Sequence, residues 1–192
     1  MLYHLLFALR DQASVLNVTR YITFRTATAT LTALFLVLLL GPWVIDRLRR
    51  LQIGQHIRES GPEAHHAKAG TPTMGGILIL VGILVPTLLW ADLTNLNVWI
   101  VILSTLAFGA IGFADDYIST VRKQSLGLRP RQKLAAQLAV GLGVGVAIYW
   151  LAQVHPDQYS TRVVFPFFKE LRPDLGWLYV VFAILLLTLS SN

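Results

Sequence analysis

Five stretches without a charged residue constrain this chain more than any other feature. Arg25 and Asp46 bracket the first, Lys68 and Asp92 the second, and Asp92 and Asp115 the third. Lys133 and His155 bracket the fourth, and the fifth runs from Asp174 to the last residue. Each is close to the ~20 apolar residues that a helix needs to cross ~30 Å of hydrocarbon. Core helices of soluble domains are usually shorter and carry a polar face. Over 192 residues, 55% are hydrophobic, 14% are charged, and the mean hydropathy is +0.60. That balance lies outside the range of an ordinary soluble domain. The expected fold is all-α, a polytopic transmembrane helical bundle in a single membrane domain. Its spans fall at about 26–45, 72–91, 96–114, 134–153 and 175–192.

The net charge of +6 does not point to nucleic acid, because its cations sit between the spans. Residues 46–71 hold Arg47, Arg49, Arg50, Arg58 and Lys68, and residues 115–133 hold Arg122, Lys123, Arg129, Arg131 and Lys133. Ala91–Val98 holds none. This positive-inside pattern makes both basic segments cytoplasmic loops and puts the N-terminus, Ala91–Val98 and Val154–Asp174 outside. Arg162, Lys169 and Arg172 weaken the bias without reversing it. With no cysteine, neither disulfides nor thiolate metal ligation is available. The N-terminus lacks the basic leading segment of a secretory signal. Leu2, Leu5, Leu6 and Leu9 recur at helical spacing, so Met1–Val18 reads as an amphipathic helix in the outer interface.

Gly41-Pro42 is expected to kink the first span. Thr71-Pro72-Thr73 reads as the start of the second, with a Thr N-cap and Pro at the first helical position. Gly75 and Gly76 follow in its first turn, where each costs about 1 kcal/mol relative to Ala. Close approach by a ligand or another helix would compensate. Gly141 and Gly145 form a small-xxx-small pair suited to helix packing. "VVFPFFKELRPDLGW" (163–177) suggests a short hairpin or interfacial element.

The chemistry-bearing residues begin with Asp115 and Asp116, at the cytoplasmic end of the third span. Adjacent carboxylates repel, and if the helix ends there its dipole opposes them as well. If it continues into "YISTVRK", the dipole penalty falls away. One reading is a functional site balanced by a metal ion, a lysine or both. The other is an interfacial acid pair matched to Arg122 or Lys123. Lys68 and "GTPTMGG" form a second constellation, since a helix start with a nearby cation suits phosphate; an ordinary capped helix start is the alternative. His65 and His66 are adjacent and lack a metal-ligand spacing. Phosphate-friendly groups and acids at one depth suggest transfer between a water-soluble phosphate compound and a lipid phosphate.

"RESGPEAHHAKAGTPTMGG" (58–76) and "IGFADDY" (111–117) closely resemble the phospho-N-acetylmuramoyl-pentapeptide transferase family of the bacterial inner membrane. The resemblance extends to "YITFRTATATLTALF", "GLRPRQKL" and "VVFPFFKELRPDLG", and so covers essentially the whole chain. It implies ten spans, of which five are present, and transfer of phospho-MurNAc-pentapeptide from its UDP carrier to undecaprenyl phosphate. Lipid I and UMP result, with Mg²⁺ required. It implies catalytic roles for Asp115, as base toward the polyprenyl phosphate, and for Asp116, as organiser of the site. Lys68 and Thr73 match positions lining the nucleotide-substrate site, and Lys133 matches a basic position able to meet phosphate. Asn192 matches the first Asn of a substrate-binding motif, with the main metal ligand expected beyond it. Membrane lipids are further partners, and a homodimer is allowed. Ser119 departs from the pattern, because many members carry a basic residue there.

The resulting expectation is a multi-pass enzyme of the bacterial inner membrane with its site on the cytoplasmic side, inactive as this piece alone. Transfer of N-acetylglucosamine-1-phosphate is the alternative within the enzyme class. A non-catalytic scaffold or transporter half is the alternative outside it.

Overall fold

The computed structural model describes residues 1–50, 75–121, 127–165, 168 and 170–191. Its elements are helical: α1 (Leu2–Ala8), 3-10 turns at Leu9–Asp11 and Ser14–Arg20, α2 (Ile22–Arg50), α3 (Gly76–Trp90), α4 (Leu96–Val121), α5 (Pro130–Val154) and α6 (Leu178–Ser191). They fall into two units, Met1–Leu128 and Arg129–Asn192. Within these, Ile22–Leu48, Leu96–Ser119 and Pro130–Val154 are long and apolar enough to cross a membrane. The other two expected spans are represented by shorter apolar helices, α3 with 15 residues and α6 with 14. At roughly 1.5 Å per residue, 15 residues reach about 22 Å.

In the first unit, α2, α3 and α4 pack in alternating directions. Trp90 Nε1 donates to Thr32 Oγ1 at 3.1 Å, and further along the same seam a Cβ at Gly82 would lie 2.7 Å from Val37 Cγ2. A Cβ at Gly41 would lie 3.8 Å from Leu78. These pairs run oppositely in sequence, so α2 and α3 are antiparallel. The short link 91–95 then turns α4 back along α3, and a Cβ at Gly109 would lie 2.6 Å from Leu80 Cδ1. Small residues let the helix backbones approach where apolar burial from water is not the driving force. Most large apolar side chains remain exposed, Phe35, Leu38 and Leu103 among them, as expected of faces turned to lipid or to further helices.

Two local expectations change. The amphipathic helix expected over Met1–Val18 is α-helical only to Ala8 and continues as 3-10 turns around an extended Ala13. Tertiary contacts set this: the Met1 amino group donates to Leu88 O at 2.7 Å, and the Leu93 N–H donates to His4 Nε2 at 3.1 Å. The segment therefore sits on the end of the α3–α4 pair. The second change is at the end of α2, which runs to Arg50 rather than stopping near 45, with Gly41-Pro42 inside it. Proline removes one backbone donor there without ending the helix.

In the second unit α5 starts with Pro130 in its first turn, after an extended Arg129. The small-xxx-small reading holds: a Cβ at Gly141 would lie 3.1 Å from Ile184 Cα, and one at Gly145 would lie 3.0 Å from Val180 Cα. Between α5 and α6, isolated antiparallel bridges join Arg162 to Asp174 and Phe165 to Phe168, in keeping with the hairpin of the two alternatives expected there.

Candidate functional site

Alternating helix directions gather three helix ends at one end of the first unit. These are the C-terminal turn of α2, the start of α3 and the C-terminal part of α4. The first brings exposed Arg47 and Arg50, whose charge suits the negative pole of a helix. The second brings Gly75 and Gly76. Among the described residues nothing lies within 4 Å of a Cβ built at either glycine. The compensating approach expected at them is thus not made by another described helix. The third brings Asp115 and Asp116. Leu80 meets Gly109, four residues into α3 and six residues before Asp115. By helical rise, Gly76 and Asp115 therefore lie at about the same level.

The helix does not stop at the acid pair. α4 runs six residues beyond Asp115 to Val121, so residue 115 marks where charge begins rather than where the helix ends. The dipole penalty, confined to the last turn, is thereby largely avoided. Adjacent residues on a helix point about 100° apart, so the two carboxylates diverge. Asp115 is half-buried and Asp116 is exposed. Beyond them Tyr117 stacks on Phe113 with ring centroids 6.0 Å apart. Asp115 Oδ1 accepts the Leu128 backbone N–H at 2.8 Å. Gly127, immediately before, has φ +57°, and a Cβ there would meet the same carboxylate oxygen.

Lys68, Thr73 and Asn192 lie outside the described residues, as do His65, His66, Arg122 and Lys123. Lys133 is half-buried on α5, in the second unit. There the Gln137 amide donates to Ser191 O at 3.3 Å, holding the last turn of α6 one residue before Asn192. Gly127 and Leu128 are the residues that sequence reasoning missed. The available signal was a glycine three residues before a helix-starting proline.

Two carboxylates offer the hard oxygen donors that Mg²⁺ prefers. Among the described residues no group of three His, Asp or Glu side chains converges. Because the two diverge, they form no cation cage by themselves; each offers its own oxygens to a cation that keeps waters and other ligands. A cavity of about 360 Å³ lies at the opposite end of the unit, lined in part by Arg25, Thr87, Trp90 and Asp92. Val98, also on its wall, lies about 25 Å along α4 from Asp115. On its wall the Arg25 guanidinium lies 4.4 Å from the Tyr3 ring with its Nε buried and not hydrogen-bonded among the described residues, and Asp92 accepts the Thr94 hydroxyl at 2.7 Å. That hydroxyl is the main cause holding the Asp92 carboxyl below its usual range. Size alone does not make this cavity the reactive site.

Comparison with known proteins marks the start of α3. Residues 68–80 match the phospho-N-acetylmuramoyl-pentapeptide-transferase signature 1, ending at the Leu80 that packs on Gly109. The chain is 56% identical over 174 residues to the phospho-N-acetylmuramoyl-pentapeptide-transferase of Acidobacterium capsulatum, covering 90% of this chain and 46% of the relative. It is 52% identical to that of Desulfatibacillum aliphaticivorans and 46% to that of Citrifermentans bemidjiense, each over 100% of this chain and 52% of the relative. The chain thus spans about half the length of the curated relatives it matches. With its signature, its apolar helices and whole-chain similarity in agreement, this multi-pass membrane protein belongs to the phospho-N-acetylmuramoyl-pentapeptide transferase family.

Proposed function

We propose that this chain forms half of an enzyme that transfers phospho-MurNAc-pentapeptide from UDP-MurNAc-pentapeptide to undecaprenyl phosphate, giving lipid I and UMP. In this reading the chain crosses the bacterial inner membrane five times, with the acid-pair end in the cytoplasm. One observation carries it: the signature-bearing start of α3 and the Asp115–Asp116 pair lie at the same end and level of one antiparallel helix pair. The signature also favours this donor over UDP-N-acetylglucosamine.

The transfer is a phosphoryl displacement, in which positioning and charge stabilisation do most of the work. An oxygen of the lipid phosphate attacks the sugar-bearing phosphorus and forms a new P–O bond. The bond to the UMP oxygen breaks, and UMP leaves with the electron pair. A lipid phosphate monoester has a second pKa near ~6, so part of it still carries a proton at neutral pH. Asp115 takes that proton and holds the lipid phosphate in line. Asp116, pointing about 100° away, helps to organise the site. Lys68 and Thr73 contact the nucleotide, Lys133 supplies a cation to phosphate, and Asn192 contacts substrate. Mg²⁺, when bound, offsets charge on the pyrophosphate; Asp115 and Asp116 are available to it, with further ligands from the part of the family's length that this chain does not span.

Full-length protein carrying this sequence should release UMP when given both substrates and Mg²⁺, whereas the 192 residues alone should release none. Asp115→Asn should lower kcat on the order of 10²–10⁴-fold, the usual worth of a general base. Near-normal transfer by Asp115→Asn, or equal use of UDP-N-acetylglucosamine, would overturn the proposal.

A further inference from the structure

We propose that Gly127 and the backbone N–H of Leu128 form a clamp that positions Asp115 for the transfer, an inference that rests on the catalytic reading of Asp115. Three observations meet at this turn. Gly127 has φ +57°, in the left-handed region that residues with a Cβ rarely adopt. A Cβ at that position would collide with Asp115 Oδ1 and lie 3.0 Å from the Asp115 backbone oxygen and 3.2 Å from its Cγ. The next N–H, from Leu128, donates to the same Oδ1 at 2.8 Å across 13 residues of sequence.

The turn therefore demands glycine twice, once for its backbone angle and once for the space taken by the carboxylate. What it delivers is a neutral donor carried by the main chain, which cannot titrate or swing away as a side chain can. A donor bound to an ionised acceptor makes a short, strong hydrogen bond. That bond fixes the position of one carboxylate oxygen and so narrows the rotamers open to the side chain. Orientation matters at this site because a displacement of about 1 Å in a reacting group can cost on the order of 10²-fold in rate. The acid is half-buried, and its neighbour Asp116 is exposed with no comparable hydrogen bond described, so the clamp also separates the two carboxylates chemically.

The test uses full-length protein carrying this sequence, purified in lipid nanodiscs, with UMP release followed while each substrate is varied. Gly127→Ala and Gly127→Asn separate the two demands. Asn tolerates positive φ but still carries a Cβ that meets the carboxylate. Both variants should lower kcat by about 10–100-fold while KM for UDP-MurNAc-pentapeptide stays within about 3-fold. Replacing the Leu128 amide by an ester removes only the donor and should lower kcat by about 10-fold, which keeps the test open should either glycine variant misfold. Combining Gly127→Ala with Asp115→Asn should cost no more than Asp115→Asn alone, because both act through one group. Wild-type kcat in Gly127→Asn or in the ester variant sinks the clamp, as does full additivity in the double variant. If Asp115→Asn itself turns over normally, the catalytic reading of Asp115 is what fails. If Asp115→Asn is inactive while the Gly127 and ester variants are normal, only the clamp fails.

Discussion

At the scale of single residues, hydrogen bonding decides more than composition does. Asp174 illustrates this outside the spans. Its Oδ1 accepts the Thr161 hydroxyl and, at 3.1 Å, the Gly176 N–H, while Arg162 Nε lies 3.7 Å from Oδ2. The Thr161 hydroxyl is the largest cause holding this carboxyl below its usual value of 3.8. A depressed folded-state pKa stabilises the hairpin fully above the unfolded value and loses that contribution as pH falls through the folded one. The Gly176 amide resonance should accordingly titrate with a midpoint below 3.8, and Thr161→Ala should raise that midpoint. A midpoint unmoved by Thr161→Ala would show that Thr161 does not hold the carboxylate. Asp115 was identifiable from sequence because acids at the edge of hydrocarbon are costly. Its partner was not, because a backbone N–H leaves no mark on side-chain identity and only the neighbouring Gly127 hints at it.

At the scale of elements, glycine spacing identified a real helix interface. A Cβ at Gly141 would lie 3.1 Å from Ile184 Cα and one at Gly145 would lie 3.0 Å from Val180 Cα, whereas nothing described lies within 4 Å of a Cβ at Gly143. Valine at 141 or 145 must push α6 away and should cost about 1–3 kcal/mol, the usual penalty for overpacking. Gly143→Val in the same helix should leave stability nearly unchanged. Thermal unfolding midpoints in detergent would compare the three, and equal losses would refute the packing argument. Helix ends were less legible. Apolar runs locate the middle of a helix, but α4 extends to Val121 through Asp115, Asp116 and Ser119, which hydropathy reads as boundary. The N-terminal segment shows the converse. A repeating leucine pattern promised one helix, and contacts from Met1 and His4 to residues 88–93 hold a shorter helix followed by 3-10 turns.

At the scale of the molecule, charge placement predicts sidedness, and the cysteine-free sequence makes this easy to test. In inverted and right-side-out membranes, a membrane-impermeant thiol reagent should label Gln124→Cys only from the cytoplasmic side. It should label Thr94→Cys and Ser160→Cys only from the opposite side. Labelling of Gln124→Cys and Thr94→Cys from one side would invalidate the proposed arrangement of α4. Hydropathy and motif together determined that the chain is helical, apolar along several spans and a member of its family, because hydrocarbon thickness and local sequence strings are written directly in residue order. Tertiary structure alone decided which ends meet. Antiparallel packing through Gly82 and Gly109 brings the start of α3 level with Asp115, and the turn at Gly127 returns a backbone donor to that acid. Such contacts join residues far apart in the chain through shape and main-chain hydrogen bonds, so no local pattern of side chains encodes them.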